Sequence, residues 1–297
     1  KRYIAYVYQT GYSDGSGDNK VDYDFATDKL AIALAEDYNI VEISLAQATD
    51  PTTTTDMGHA HAIVLTEAVK GSNTASDLSN KMKSYVGTVP MIGMKAFAYQ
   101  TNRWEWGKAS NNVGVNAFKP KDDTYKLFNG VLFEPNGTIK LATATSGNIL
   151  QSVEFGTTGT TAPENNSIIG TVDGTDAKTV IHTVGNKYLG IGLSCNVRTT
   201  YTDNLSVIVK NAIDLMLNDE DLDATDANIS RKVTGTIAAS GLSTLASTLP
   251  IDLSTLTSDE AVTAYYASAA SGSSVTLTAT NGTVSAGEGL IISGNKI

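Results

Sequence analysis

The chain has 297 residues, of which 41% are hydrophobic and 18% charged, and its formal net charge at pH 7 is -10. Nucleic-acid binding needs a basic surface, and the 21 Lys and Arg residues are scattered, which argues against nucleic acid and anionic membranes as partners. We predict no transmembrane segment, because no apolar run approaches the roughly 20 residues that a spanning helix needs. A single cysteine, Cys195, excludes an internal disulfide and a thiolate metal cluster, and with only three histidines we predict no metal and no other cofactor.

Strand and helix patterns alternate over the first third of the chain. Predicted strands cover residues 3–9, 40–45, 62–66 and 90–97, and two predicted helices begin at a cap, Asp22 or Asp24 for the first and Ser76 for the second. This alternation predicts an α/β fold with a doubly wound, mainly parallel sheet.

The pattern changes between residues 116 and 187, where short strand-like runs are separated by turn signals. Gly185-Asn186 is one of these signals, a two-residue hairpin turn. We predict an antiparallel extension of the sheet here. A last strand then covers residues 187–193, and a helix begins after Thr202 or Asp203.

The second half of the chain also suggests a domain boundary. Residues 219–229 are rich in Asp and Glu and are predicted to form an acidic linker. They separate an α/β domain, residues 1–218, from a small all-β domain, residues 230–297. The last strand reaches Ile297 with little to pair against, so we expect the natural chain to continue.

Composition bears on location. Thr, Ser, Asn and Gly are abundant while charged residues are few, a bias typical of secreted or surface-exposed bacterial proteins. The chain starts at Lys1, directly before a predicted strand and without an initiator Met, which fits a mature form whose leader was removed.

Several motifs of residues 1–217 occur in a recognisable order. They are a strand from Tyr3, an elbow after Pro90–Met94, a β insertion, and the closing run Lys187–Leu193 before a helix containing Asn211-Ala212-Ile213. This order resembles the class I glutamine amidotransferase-like family, and within it the trehalose-utilisation (ThuA-like) branch, where a glycine-rich closing strand also precedes such a helix. The resemblance implies a flavodoxin-like domain.

The chain departs from that family at the residues that carry its chemistry. A nucleophile elbow needs Cys or Ser just past its strand, whereas Lys95, Ala96 and Phe97 stand there. The family's His-x-Glu after the closing strand is also absent, since Ser194–Arg198 contains no His, and Cys195 lies at the wrong position for the nucleophile. The sequence therefore argues against a glutaminase and favours a protein without catalytic activity.

A second group of motifs lies in residues 233–297. In order they are Gly241–Leu245, Pro250–Leu253, Ala264–Tyr266, Val275–Thr278 and Ser285–Ile292. They resemble a β module of cell-surface and secreted proteins of gut-dwelling Gram-negative anaerobes. The resemblance implies export, and with the composition it predicts a secreted or cell-surface location, periplasmic or extracellular, in a Gram-negative bacterium.

Glu67 and Lys95 are the candidate catalytic residues. Glu67 follows the third predicted strand and Lys95 the fourth, so both should lie at the carboxyl edge of the sheet. Such a pair could act as general acid and base. It could equally be an ion pair that fills a vestigial pocket, which is the interpretation that we favour.

Aromatic and polar side chains are predicted to gather at the same edge and bind a ligand. Both tryptophans lie in one loop, and aromatic faces beside amide and guanidinium groups are suited to sugar rings. The opposing interpretation is that the tryptophans pack under the β insertion. The predicted ligand-binding residues are Tyr8, Gln9, Lys95, Tyr99, Arg103, Trp104, Trp106, Asn196 and Arg198.

Two clusters carry metal-ligating side chains, and a structural role is favoured for both. The loop around Asp14, Asp18, Asp22 and Asp24 offers oxygens for calcium but matches no EF-hand spacing, so an exposed turn and helix cap is the simpler interpretation. His59 and His61 lack a third ligand.

Three hypotheses about function follow. The favoured one is a non-catalytic secreted or cell-surface protein that binds a carbohydrate or a surface protein on a degenerate amidotransferase-like scaffold. The second is a ThuA-like enzyme that acts on sugar derivatives through Glu67, Lys95 and Arg198. The third is a structural module of a surface assembly, for which the attached β domain is the argument.

Overall fold

A computed structural model of the protein describes residues 1–14, 21–44, 47, 57–69, 81–233, 237, 240–255, 262–271 and 274–294. The chain divides into two compact units. The first contains Lys1–Val131 and Lys140–Ser230, and the second contains Leu132–Ile139 and Arg231–Ile297. The second unit therefore includes a short segment from the middle of the chain that the strand pattern did not assign to it.

Strands outnumber helices in the described part of the chain. The strands are β1 (Tyr3–Tyr8), β2 (Ser13–Asp14), β3 (Val21–Asp22), β4 (Asn39–Ser44), β5 (Ala62–Leu65), β6 (Met91–Gly93), β7 (Gly107–Val113), β8 (Ala117–Pro120), β9 (Leu132–Phe133), β10 (Ile139–Lys140), β11 (Asn148–Phe155), β12 (Asn166–Thr171), β13 (Thr179–Val184), β14 (Tyr188–Ile191), β15 (Lys232–Val233), β16 (Leu242–Ala246), β17 (Ile251–Asp252), β18 (Val262–Ser271), β19 (Ser274–Thr280), β20 (Thr283–Val284) and β21 (Gly289–Gly294). The α-helices are α1 (Lys29–Ala35) and α2 (Asp203–Leu217), and short 3-10 helices lie at Phe25–Thr27, Ala96–Tyr99, Lys126–Phe128, Asp176–Lys178, Cys195–Thr200 and Leu253–Thr255.

The first unit is built on one large mixed sheet. Its parallel part has the order β4-β1-β5-β6-β14. Numbered along the chain, this order is 2-1-3-4-5, an arrangement of doubly wound α/β sheets. The sheet continues antiparallel from β14 through β13, β12 and β8, and β11 pairs with β13 and β7. The predicted fold class, an α/β sheet with an antiparallel extension and a separate all-β region, is confirmed.

Four of the parallel strands, β1, β5, β6 and β14, are buried on both faces, as their near-continuous apolar sequences indicate, whereas the edge strand β4 is partly exposed. On one face, Val7 belongs to a core cluster that also contains Met82 and Tyr85, from the segment before β6. Those two residues come from the end of the helix predicted from Ser76, whose first part lies outside the described residues. On the other face, Tyr6 is fully buried.

Helix α1 begins later than predicted. We expected Asp22 or Asp24 to cap it, but Asp24 caps only a 3-10 turn, and the carboxylate of Asp28 accepts the backbone N–H groups of the first turn of α1. The hydroxyls of Tyr6 and Tyr23 donate to the other oxygen of Asp28, at 2.9 Å and 2.8 Å. Because Asp28 is buried and fully hydrogen-bonded, this cap also ties α1 to β1.

Close approaches require two glycines at the end of the closing strand. A Cβ on Gly190 would lie 2.1 Å from His182 Nε2, and a Cβ on Gly192 would lie 1.9 Å from the backbone oxygen of Gln151. Gly190 therefore leaves space for the His182 ring. Gly192 lets β11 run against the end of β14, where the backbone N–H of Gln151 donates to the Gly192 carbonyl at 2.9 Å.

His182 is expected to make the stability of the first unit depend on pH. Its ring contacts the rings of Tyr99, Trp106 and Phe155, and burial lowers the pKa of His182 from 6.5 to about 3. The unfolded chain therefore binds this proton more readily than the folded chain. The resulting stability is fully present above about pH 6.5 and is lost as the pH falls toward 3, with a slope that approaches about 1.4 kcal/mol per pH unit.

Urea denaturation at several pH values checks this expectation. The free energy of unfolding of His182→Asn should depend less steeply on pH between 6.5 and 5 than that of the wild type. His59 is exposed, so His59→Asn is the control and should keep the wild-type slope. If the free energy of unfolding of His182→Asn depends on pH as steeply as that of the wild type, then the pKa of His182 does not differ between the folded and unfolded states, which contradicts this expectation.

The predicted acidic linker belongs to the first unit. Glu220 forms an ion pair with Lys126 at 2.7 Å, Thr225 forms a β-bridge with Tyr125, and Leu222 is fully buried. These contacts hold the acidic stretch against the first unit.

The second unit contains only strands and one short 3-10 helix among its described residues. An antiparallel sheet of order β16-β21-β18-β19 is accompanied by the pairs β17-β20, antiparallel, and β15-β9, parallel. Its small core is formed by Leu253, Ala264, Val284, Leu290 and Ile292.

Candidate functional site

Polar side chains meet where neighbouring parallel strands end. Tyr12 follows β1, Glu67 follows β5 and Lys95 follows β6. In this strand order the connections after β1 and β5 leave in opposite directions. The crevice outside the carboxyl ends at such a point is where open α/β sheets bind ligands.

Glu67 and Lys95 form a buried ion pair at this edge. Lys95 Nζ lies 2.7 Å from Glu67 Oε1, and the two side chains are 6% (Lys95) and 2% (Glu67) exposed. Lys95 Nζ also donates to the Glu67 backbone oxygen at 3.1 Å and to the Tyr12 hydroxyl at 3.4 Å, so each of its protons has an acceptor. Glu67 Oε2 accepts the backbone N–H of Cys195 at 3.2 Å. Both carboxylate oxygens of Glu67 and all three ammonium protons of Lys95 therefore have protein partners.

Gln151 extends this network from β11. Its side-chain nitrogen donates to Glu67 Oε1 and to Asn111 Oδ1, both at 3.4 Å. Asn111 lies directly opposite Gln151 on β7, which places both side chains on one face. Gln151 is 2% exposed, and its Oε1 atom is buried with no hydrogen-bond partner among the described residues. A hydroxyl or N–H group of a ligand would satisfy this acceptor.

These side chains line a cavity of about 280 Å³, formed by Tyr12, Glu67, Lys95, Phe97, Arg103, Asn111, Asn148 and Gln151. Pockets for drug-sized ligands span roughly 300–1,000 Å³, so this cavity suits a smaller molecule, of monosaccharide size. None of the described lining residues is Ser, Thr, Cys or His. The hydroxyl and thiol nucleophiles of acyl-transfer enzymes are therefore missing from this lining.

Arg103 adds a second cation to the cavity wall. Its guanidinium donates to the backbone oxygen of Phe97, and its Nε atom is buried and has no hydrogen-bond partner in the described part of the chain. Burial lowers the pKa of Arg103, although a guanidinium stays charged at neutral pH. Among the described residues, no carboxylate forms an ion pair with it.

Of the nine predicted ligand-binding residues, Lys95 and Arg103 line the cavity. Four others, Tyr8, Gln9, Asn196 and Arg198, are not among its described lining residues. The hydroxyl of Tyr8 donates to Glu42 at 2.7 Å, which raises the pKa of Tyr8 to about 12. The backbone N–H of Gln9 donates to the Ala68 carbonyl at 2.9 Å.

Arg198 and Asn196 lie in the 3-10 helix Cys195–Thr200, which follows the closing strand. Arg198 is buried, and its guanidinium donates to the backbone oxygens of Asp22 and Asp24, before α1. It therefore holds this helix to the chain that precedes α1. Asn196 is half-buried, and neither residue is among those that line the cavity.

Three of the four aromatic residues predicted to bind a ligand are core residues. Tyr99, Trp104 and Trp106 are 2%, 1% and 6% exposed, and their ring centroids lie between 4.8 and 5.5 Å apart. Tyr99 is hydrogen-bonded to Tyr188 at 2.6 Å, and Lys83 Nζ lies 5.9 Å from the Trp106 ring centroid. Only small parts of these rings are exposed, and none of the three residues lines the cavity at the strand ends. Trp104 and Trp106 instead line a second cavity, of about 290 Å³, together with Lys83, Glu105 and residues 159–163. The arrangement is the packed one that the opposing interpretation described.

Five residues that line the cavity were not predicted as site residues: Tyr12, Phe97, Asn111, Asn148 and Gln151. A signal for Gln151 was present, because Gln151-Ser152 is a polar pair inside the apolar run Ile149–Val153, and a polar group in a core strand needs partners. Asn111 offered no such signal, since its role depends on the register between β7 and β11.

Among the described residues, no group of three or more His, Cys, Asp or Glu side chains is arranged to hold a metal ion. Of the acidic loop, Asp18 lies outside those residues. The exposed His61 accepts a hydrogen bond at Nδ1 from the backbone N–H of Tyr3 at 3.1 Å. No described helix is both long and apolar enough to cross a membrane.

Comparisons with known proteins give weak likenesses only. No protein-family model matches the chain, and no curated protein matches it. The solved structures that are similar to it include Cytoplasmic Protein STM3548 from Salmonella typhimurium, at 10% identity and a TM-score of 0.45 over 72% of this chain and 98% of that one. They also include Cytoplasmic Protein STM1381 from Salmonella typhimurium LT2, at 10% identity and a TM-score of 0.42 over 74% of this chain and 99% of that one.

The names of the two similar structures differ from the predicted location. Both are named as cytoplasmic proteins, whereas we predicted a secreted or cell-surface location, and we withdraw that prediction. The glycine content, one part of the compositional bias behind it, has a structural explanation. Short strands need many turns, and twelve of the described glycines have positive φ values that other residues rarely adopt.

Proposed function

We propose that the first unit is a non-catalytic binding module for a small polyhydroxylated ligand, with a carbohydrate as the class that fits best. The observation that carries this proposal is the saturation of the Glu67–Lys95 pair by protein partners. The flavodoxin-like strand order and the missing elbow nucleophile support a degenerate amidotransferase-like scaffold as part of the proposal.

A catalytic role for the pair would require these contacts to break. Glu67 has partners on both carboxylate oxygens, and Lys95 has acceptors for all of its protons. Leaving a buried donor or acceptor unsatisfied costs about 1–3 kcal/mol for each group, and more for a charged one. The ion pair is therefore better suited to holding the cavity wall than to moving a proton.

The remaining polar groups of the cavity are suited to hydroxyl groups. Asn111, Asn148 and Gln151 carry amides, which offer donors and an acceptor on one side chain, and a sugar hydroxyl is likewise a donor and an acceptor. Phe97, which is half-buried, lines the same cavity and is suited to pack against the C–H groups of a sugar ring.

Calorimetric titration of the intact protein with a panel of neutral and acidic monosaccharides tests the proposal. We expect at least one sugar to bind. Asn111→Ala should weaken that binding about fivefold, because a neutral hydrogen bond contributes roughly 1 kcal/mol. Ser110→Ala is the matched control, since Ser110 is exposed and its side chain points to the other face of β7. Absence of binding across the panel would refute the proposal.

The same panel separates binding from catalysis. Products are sought by chromatography after incubation of each bound sugar, or a glycoside of it, with the protein. We expect the sugars to be recovered unchanged. Turnover that disappears in a folded Lys95→Met variant would instead support the enzyme hypothesis, with action on sugar derivatives.

A further inference from the structure

The charges that line the cavity do not cancel. Glu67 and Lys95 neutralise each other at 2.7 Å, which leaves Arg103 as the one uncompensated charge among the described lining residues. The whole chain has a formal net charge of -10, so the local charge at Arg103 is opposite in sign to the net charge of the protein. Partial burial removes water from this guanidinium, and no ion pair with a described carboxylate offsets the cost of that desolvation.

Two unsatisfied atoms accompany this charge. Arg103 Nε is a buried donor and Gln151 Oε1 a buried acceptor, and neither has a hydrogen-bond partner among the residues that the structure describes. Gln151 is 98% buried, and both side chains line the same cavity. Rotating the Gln151 amide would not remove the problem, because its oxygen would then face the Glu67 carboxylate and Asn111 Oδ1 at 3.4 Å. The site therefore lacks an acceptor group at Arg103 and a donor group at Gln151.

We propose that the ligand of this cavity is a small hydroxylated monocarboxylate, a sugar acid, whose carboxylate is bound by Arg103 while a hydroxyl donates to Gln151 Oε1. This inference rests on the proposed function and specifies its ligand. A carboxylate supplies the charge that the cavity lacks and matches the planar fork of a guanidinium. A neutral sugar would satisfy Gln151 and leave Arg103 uncompensated.

Calorimetric titration with D-glucuronate and D-glucose at one ionic strength tests this inference, because the two probes differ by a carboxylate in place of a hydroxymethyl group. We expect glucuronate to bind at least tenfold more tightly than glucose. Arg103→Gln should remove this preference. Lys108→Gln is the control for general electrostatic attraction, since Lys108 is exposed on β7, and it should keep the preference.

Tryptophan fluorescence verifies that each variant is folded. Arg103→Lys is the second variant, which keeps the positive charge without the planar fork, and it should retain a reduced preference for glucuronate. If Arg103→Gln fails to fold, Arg103→Lys decides, and a preference equal to that of the wild type would count against carboxylate binding by the guanidinium.

The outcomes separate this inference from the function on which it rests. Equal affinities for glucose and glucuronate would overturn the sugar-acid ligand and leave the binding function standing. A preference for glucuronate that survives in folded Arg103→Gln would overturn the role of Arg103. Binding of neither probe, nor of any other sugar in the panel, would refute the proposed function itself.

Discussion

Replacing Lys95 by Met is expected to lower the free energy of unfolding of the first unit by about 3–5 kcal/mol. The substitution leaves the Glu67 carboxylate buried without its ion-pair partner, and such a loss is strongly destabilising. Glu67→Gln should act in the same direction because it leaves the Lys95 ammonium uncompensated. The double variant should lose less than the sum of the single variants, since their effects are coupled through one contact.

Urea denaturation followed by tryptophan fluorescence measures these changes in the first unit alone, because both tryptophans of the chain lie in it. Lys178→Met is the matched control. Lys178 pairs with Asp173 at 2.8 Å, and the two side chains are 50% and 40% exposed, so little stability should be lost. Losses of similar size in Lys95→Met and Lys178→Met would contradict the claim that breaking the buried pair destabilises the first unit more than breaking an exposed pair.

Replacing Gly192 by Ala is expected to cost at least about 3 kcal/mol, the upper end for an overpacked core. The added Cβ would lie 1.9 Å from the backbone oxygen of Gln151, so β11 has to move away from the end of β14. This movement should also separate Gln151 from Glu67 and weaken ligand binding in any molecules that remain folded.

The same denaturation measurement checks this expectation. Gly58→Ala is the control, because no heavy atom lies within 4 Å of its added Cβ and Gly58 does not have a positive φ. It should change the free energy of unfolding by less than about 0.5 kcal/mol. A Gly192→Ala variant as stable as Gly58→Ala would mean that β11 does not pack against Gly192 as described.

The parallel core could be predicted from the sequence because its signals are local. The strand from Tyr3 and the strand from Ala62 are apolar runs that require burial on both faces, and each was predicted within a few residues of its bounds. The start of α1 was misplaced because Asp22, Asp24 and Asp28 are all possible caps. Asp28 caps the α-helix, and the hydroxyls of Tyr6 and Tyr23 hold its carboxylate in place. Tyr6 is distant in the sequence, and the position of Tyr23 depends on the turn before α1, so the local sequence pattern shows neither contact.

The candidate site could be predicted only in part. Glu67 and Lys95 were located because each directly follows a strand of a parallel sheet. Trp104 and Trp106 carry the same sequence signal whether they bind a sugar or fill a core, and burial alone distinguishes the two cases. Asn111 and Gln151 meet through antiparallel register between distant segments, which no local pattern specifies.

The side-chain amide resonances of Asn111, Asn148 and Gln151 offer the most direct test of the binding cavity. They would be assigned by single substitutions in a ¹⁵N-labelled sample of the intact protein and followed while D-glucuronate is added. We expect these three resonances to shift together and to saturate, while the amides of Asn136 and Asn281, in the second unit, stay unchanged. Saturable binding of glucuronate that leaves the three cavity amides unmoved would contradict the assignment of the ligand to this cavity.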